Sequence, residues 1–173
     1  MTERLLLVGM MAVGKTTVGT LTAERLGWSF LDSDAQLVAD VGRSSYEIFT
    51  ADGDEELRIL ESRALVEALT QPAPVVVAVA GGAVLAEASR NLMVRSGVVV
   101  WLRASISTMV ERVQLGGARP RLGDDPAASL RDLYRTREPL YAEVAQFVID
   151  VDDRTPGEIV ARILTETGLD DER

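Results

Sequence analysis

Gly9-Met10-Met11-Ala12-Val13-Gly14-Lys15-Thr16 follows directly on the apolar run Leu5-Leu6-Leu7-Val8. The octet fits GxxxxGK[ST], and it stands where that pattern has meaning, between a predicted strand and a predicted helix. Glycines let the backbone turn so that successive N–H groups face inward at an anion. The start of the following helix adds partial positive charge. Met11, Ala12, Val13, Gly14, Lys15, Thr16 and Thr17 are therefore read as a phosphate cradle. Lys15 neutralises the outer phosphates, and the Thr16 hydroxyl ligates Mg²⁺. The pattern implies a nucleoside triphosphate without saying what is done with it.

Working outward, further short apolar runs occur at Trp28–Leu31, Val75–Val79, Val98–Leu102 and Phe147–Val151. They are continuous rather than alternating, as strands buried on both faces are. Helical spacing separates them: Val18, Leu21 and Leu26; Leu57, Leu60, Ala64, Leu65 and Ala68; Met109, Val110 and Val113; Ile159, Val160, Ile163 and Leu164. Strands alternating with helices predict a three-layer α/β/α fold around a five-stranded parallel sheet. All 173 residues are read as one domain. Residues 114–127 break the rhythm with Gly-Gly-Ala-Arg-Pro-Arg and then Gly-Asp-Asp-Pro. They read either as a solvated loop or as a mobile lid carrying Arg119 and Arg121. The acidic tail, 169–173, is expected to fray.

Composition excludes several classes. The net charge is −9, so no chain-wide basic footprint exists for nucleic acid or anionic membrane. There is no cysteine and no histidine. Disulfides, thiolate metal sites, a cysteine nucleophile and an imidazole base are all ruled out, which leaves proton transfer to Asp, Glu, Lys, Tyr or water. Lys15 is the sole lysine, so the two fixed positions of a guanine-reading NKxD motif cannot both occur. No long apolar run or leader pattern appears, and a cytoplasmic monomer is the expectation.

Phe30-Leu31-Asp32-Ser33-Asp34 closes the second strand. Carboxylates at i and i+2 of an extended chain point the same way, here into the ligand crevice beside the loop. One could serve the Mg²⁺ shell and the other an acceptor hydroxyl. The alternative is a helix N-cap, with Ser33 or Asp34 opening the next helix.

From this point the chain resembles the shikimate kinase family, a branch of the nucleoside-monophosphate-kinase-like P-loop fold. The resemblance is carried by Thr17-Val18-Gly19, Leu31-Asp32-Ser33-Asp34, Glu47-Ile48-Phe49, Gly53 through Glu61, Ala80-Gly81-Gly82-Ala83-Val84, Arg119-Pro120, Arg137-Glu138-Pro139-Leu140-Tyr141 and Arg154 through Val160. It implies ATP and Mg²⁺ on one side and a small anionic alcohol, shikimate, on the other. Lys15, Asp34 and Arg119 would be catalytic. Asp32 would join Thr16 at the metal through water. Arg58 and Arg137 would grip the acceptor carboxylate, since a planar guanidinium suits bidentate recognition. Gly81 and Gly82 would bring backbone N–H groups to its hydroxyls. Arg112 and Arg154 would flank adenine. The chain departs from the family pattern at Ala80, Leu57, Asp54 and Arg121. Those departures leave open a sister kinase acting on another cyclitol or a gluconate-like acid, or a silent nucleotide-binding module.

Overall fold

A computed structural model describes residues 3–116 and 122–169. The chain begins with β1 (Arg4–Val8), α1 (Lys15–Leu26), β2 (Ser29–Asp32), α2 (Ser33–Val41), α3 (Ser45–Asp52) and α4 (Asp54–Thr70). It continues with β3 (Val75–Ala78), a 3₁₀ turn (Ala83–Leu85), α5 (Glu87–Ser96), β4 (Val98–Arg103), α6 (Ile106–Leu115), α7 (Pro126–Val144), β5 (Phe147–Asp150) and α8 (Pro156–Thr167).

The strands form one parallel sheet in the order β2-β3-β1-β4-β5. Leu5, Leu6 and Leu7 sit at its centre with no exposed surface. Each such leucine contributes about 1.5–3 kcal/mol of burial. Both faces must be covered for that to hold. The crossovers run one way to β2 and the other way thereafter, so right-handed connections put α1 on one face and α4, α5 and α7 together on the other. α8 packs beside α1. The expected three layers are observed.

The sheet order fixes the location of the site. β1 and β3 are neighbours whose outgoing connections run in opposite directions, to β2 and to β4, so a crevice opens at the carboxyl ends of these strands. The glycine loop after β1, the end of β2 and the turn after β3 all arrive there.

Two regions differ from the sequence expectations. α2, α3 and α4 build a second, smaller core of Leu37, Ile48, Leu57 and Ala64. Ser44 opens α3 with a capping box closed by Glu47. Leu169, expected to fray, packs into the main core, and its N–H donates to the Leu164 carbonyl. Residues 170–173 lie outside the described residues. So do 117–121, which include Arg119, Pro120 and Arg121; of the segment read as a lid, 114–115 finish α6 and 126–127 open α7. Among the described residues no helix is long and apolar enough to cross a membrane.

Candidate active site

The loop after β1 has the backbone its sequence predicts. Gly9 has φ +143°, and a Cβ there would stand 2.4 Å from the Leu102 carbonyl oxygen of β4. Only glycine allows so close an approach. Ala12 (φ 62°) and Gly14 (φ 98°) are left-handed. Alternation of this kind makes a concave nest of N–H groups. Gly14 caps α1 without a side-chain hydrogen bond, so the cap residue itself does not occupy the first-turn donors. The Val13 side chain is buried, which leaves its peptide as the part that can meet a phosphate. Lys15 Nζ spans the loop, donating to the carbonyls of Gly9 (2.9 Å) and Met10 (2.8 Å).

Met11, Ala12, Gly14, Lys15, Thr16 and Thr17 share a cleft of about 540 Å³ with Asp32, Asp34, Ala35 and Val38. The two aspartates reach it by a route that the sequence reading did not give. β2 ends on Asp32, which is itself the N-cap of α2, and Asp34 lies inside the first helical turn. The pair is therefore not an i, i+2 pair on a strand. Asp32 Oδ1 accepts from the N–H groups of Asp34 (3.0 Å) and Ala35 (3.2 Å). Its other oxygen, Oδ2, accepts from Thr16 Oγ1 at 2.6 Å. A hydroxyl and a carboxylate oxygen thus meet beside the loop. This is a hard, all-oxygen donor set, and it suits Mg²⁺, which takes one or two protein ligands and keeps waters and phosphates for the rest. Among the described residues no group of three or more acidic side chains is placed to hold a metal ion by itself.

The residues expected to hold the acceptor gather around the turn after β3. Arg58 on α4 is held between Asp54 Oδ1 (2.7 Å) and Glu61 Oε2. Asp54 therefore reaches its partner despite being one methylene shorter than glutamate. Glu61 is 3% exposed. Burial pushes its carboxyl up from the ordinary 4.5 against the pull of Arg58 and Arg137, and the Asp34 charge pushes it further. The native state thus holds this proton more tightly than the unfolded chain does. Stability due to this group falls as pH rises past 4.5 and levels off above the raised native value. We expect urea unfolding to show this limb in the wild type and not in Glu61→Gln; equal slopes in both would disprove it.

Arg137 and Tyr141, one turn apart on α7, are both buried. Tyr141 donates to the Gly81 carbonyl at 2.7 Å, and burial, opposed by Arg137, pushes its phenol up to about 12. It stays a donor at neutral pH. A Cβ on Gly81 would be 3.4 Å from Arg137 Nη1. On Gly82 it would be 1.9 Å from Arg58 Nη1 and 2.4 Å from Glu61 Oε2. Gly82→Ala must therefore displace a buried ion pair. We expect it to lower acceptor kcat/KM by about 10²-fold, the loss that misplacement by about 1 Å can cause, with ATP binding retained; wild-type kinetics would refute it.

The sequence candidates Lys15, Thr16, Asp32 and Asp34 come together in one cleft, with Arg58, Gly81, Gly82 and Arg137 grouped beside them. The link is electrostatic as well as spatial, because Glu61 feels both Asp34 and Arg137. Arg112 and Arg154 do not line the cleft. Arg112 donates to the Ala12 and Val13 carbonyls (3.3 Å each) and to that of Val151 (3.4 Å), and Arg154 to that of Asp150. Arg119 lies outside the described residues. Leu57, one of the departures from the family pattern, is buried in the small core. Ala80, another of the departures, is not among the positive-φ residues, so its backbone is open to a side chain. Ser33, Glu61 and Tyr141 were not singled out as site residues. A buried serine gives no signal in a sequence, whereas Glu61 at i+3 from Arg58 and Tyr141 at i+4 from Arg137 do.

Comparison with known proteins agrees with this geometry. The family model described as shikimate kinase matches residues 11–167. A shikimate kinase of Ruegeria pomeroyi is 42% identical over 163 residues, 94% of this chain and 83% of that protein. One of Symbiobacterium thermophilum is 41% identical over 92% of this chain and 93% of its own length. The structure of shikimate kinase from Acinetobacter baumannii in complex with shikimate superposes with a TM-score of 0.91 at 33% identity, covering 98% of this chain and 95% of that one.

Proposed function

This chain belongs to the shikimate kinase family, and we propose the following division of labour for its phosphoryl transfer from ATP to the 3-hydroxyl of shikimate, which yields shikimate 3-phosphate and ADP. The observation that carries it is the meeting of two unlike half-sites. One is a phosphate loop with Lys15, Thr16 and Asp32, and the other is a pair of arginines, Arg58 and Arg137, around a glycine turn. Asp34 stands between them.

The loop N–H groups and Lys15 hold the β and γ phosphates. Thr16 and, through water, Asp32 would hold Mg²⁺, which when bound neutralises developing phosphate charge. Arg58 and Arg137 grip the substrate carboxylate. Arg58 Nε is buried with no hydrogen-bond partner among the described residues, which leaves it a donor to offer. The peptides of Gly81 and Gly82 meet ring hydroxyls. Asp34 accepts the hydrogen bond of the attacking hydroxyl. As the new oxygen–phosphorus bond forms, the bond from the γ phosphorus to the β-γ bridging oxygen breaks, electrons pass to ADP, and the hydroxyl proton leaves through Asp34. Arg119 would stabilise the transferring group, and Arg112 and Arg154 would approach adenine from its far side. This fits a cytoplasmic, monomeric enzyme without nucleic-acid or membrane partners. Shikimate-dependent ADP release from Mg·ATP tests the proposal. Faster release with gluconate or another polyol would favour a sister kinase, and ATP binding without turnover on any of them a silent module.

A further inference from the structure

Ser33 lies between the two aspartates of the cleft, and its side chain points away from them into the protein. It has no exposed surface, and its Oγ accepts a hydrogen bond from the Ala80 N–H at 2.8 Å. The parallel ladder between β2 and β3 ends at the pair Asp32 and Ala78. Beyond that pair β2 has turned into α2, so no backbone carbonyl of β2 remains opposite Ala80. The Ser33 hydroxyl supplies the missing rung. A buried N–H left without that rung would be unsatisfied.

What the rung joins gives it functional weight. On one side it shares a helical turn with Asp32, which reaches Thr16, and with Asp34. On the other, Ala80 leads directly into Gly81, whose carbonyl is held by Tyr141, and Gly82, which lies against Arg58 and Glu61. Past the turn, Arg90 Nη1 donates to the Val84 (2.8 Å) and Leu85 (3.3 Å) carbonyls and Nε to Glu143 (2.9 Å). The glycine turn is thus held by α7 and α5 from behind, and by Ser33 from the side of the carboxylates.

We infer that Ser33 is a positioning residue for phosphoryl transfer: its hydroxyl sets the distance between Asp34 and the glycine turn that carries the acceptor. It touches no reactant and acts through Asp34 and Gly81. The inference rests on the functional reading above. It is measured with whichever hydroxy acid the wild type phosphorylates fastest, so that a different acceptor would sink that reading without touching this one.

The test is steady-state kinetics of Ser33→Ala with both substrates varied. The expected result is a loss of about tenfold or more in kcat/KM for the acceptor, from misplacement of reacting groups, with KM for ATP within about twofold. ATP hydrolysis in the absence of acceptor should persist, since the phosphate loop is untouched. Ser33→Thr, which keeps the oxygen, should recover most of the loss. Gln146→Ala is the comparison for stability alone. It removes an equally short bond, from Val99 N–H to Gln146 Oε1 at 2.6 Å, near the amino-terminal edge of the sheet. It should lower Tm and leave both KM values unchanged. Ser33→Ala behaving like Gln146→Ala would overturn the inference, and so would equal losses on the ATP and acceptor sides. Should Ser33→Ala not fold, Tyr141→Phe releases the same turn from its other side and must show the same one-sided loss; wild-type acceptor kinetics in Tyr141→Phe would overturn it.

Discussion

Asp34→Asn is expected to lower kcat by about 10²–10⁴-fold, the range for losing a positioned general base, while the affinity for ATP stays near that of the wild type. The substitution keeps the shape of the side chain and its place in the first turn of α2. It removes the negative charge and the ability to take a proton. No histidine or cysteine exists to take over the role. Thr16 and Asp32, the residues expected on the nucleotide side, are bonded to each other, and Asp32 meets Asp34 at the Asp34 backbone N–H, which asparagine keeps. Binding and chemistry should therefore separate. Isothermal titration with ATP alongside single-turnover kinetics measures both. Near-full activity would show that orientation by other groups suffices and that Asp34 is not the acceptor's partner. A loose transition state makes that a real contest, because base strength matters less when bond breaking leads.

The second large effect concerns the arginines, and they are not equivalent. Arg137→Ala removes a buried guanidinium, 3% exposed, aimed at Gly81. We expect shikimate kcat/KM to fall by about 10²–10³-fold, equivalent to losing a charged hydrogen-bonded pair in a desolvated site, carried mainly by KM. Arg58→Ala does something else first, because it strands Glu61 in the interior without its guanidinium partner. Breaking a buried pair from one side costs about 3–5 kcal/mol, against a total stability of roughly 5–15 kcal/mol for a domain. That variant is expected to accumulate poorly, and Arg58→Ala with Glu61→Gln to recover solubility and Tm but not acceptor binding. A stable, shikimate-binding Arg58→Ala protein would contradict both halves. Arg137 is therefore the better probe of recognition, and Arg58 of the coupling between recognition and folding.

Much of this was legible in residues 5–16 alone. An apolar run buried on both faces, a glycine forced by the approach of Leu102, and a lysine with no competitor elsewhere in the chain leave little freedom in β1, the loop and α1. The strands were legible because continuous Val and Leu runs have one good destination, the middle of a parallel sheet. What the sequence hid was local. Asp32-Ser33-Asp34 reads as the end of a strand by alternation, but the capping chemistry of Asp32 starts the helix two residues earlier than that pattern suggests. Leu57 sits beside Arg58 in sequence, yet neighbours on a helix face different ways, and it faces the small core rather than the substrate. Ser33 is an ordinary residue at an extraordinary place, and only the register of β2 on β3 reveals it.

We propose that the phosphate loop and the arginine-lined acceptor turn operate as one two-substrate site. The most direct test is a coupled ADP-release assay with Mg·ATP against shikimate, quinate, gluconate and several cyclitols at equal concentration. We expect saturable turnover with shikimate that exceeds every other acceptor and vanishes when Mg²⁺ is chelated. Turnover faster with gluconate or a neutral cyclitol than with shikimate, or ADP release indifferent to any acceptor, would contradict it.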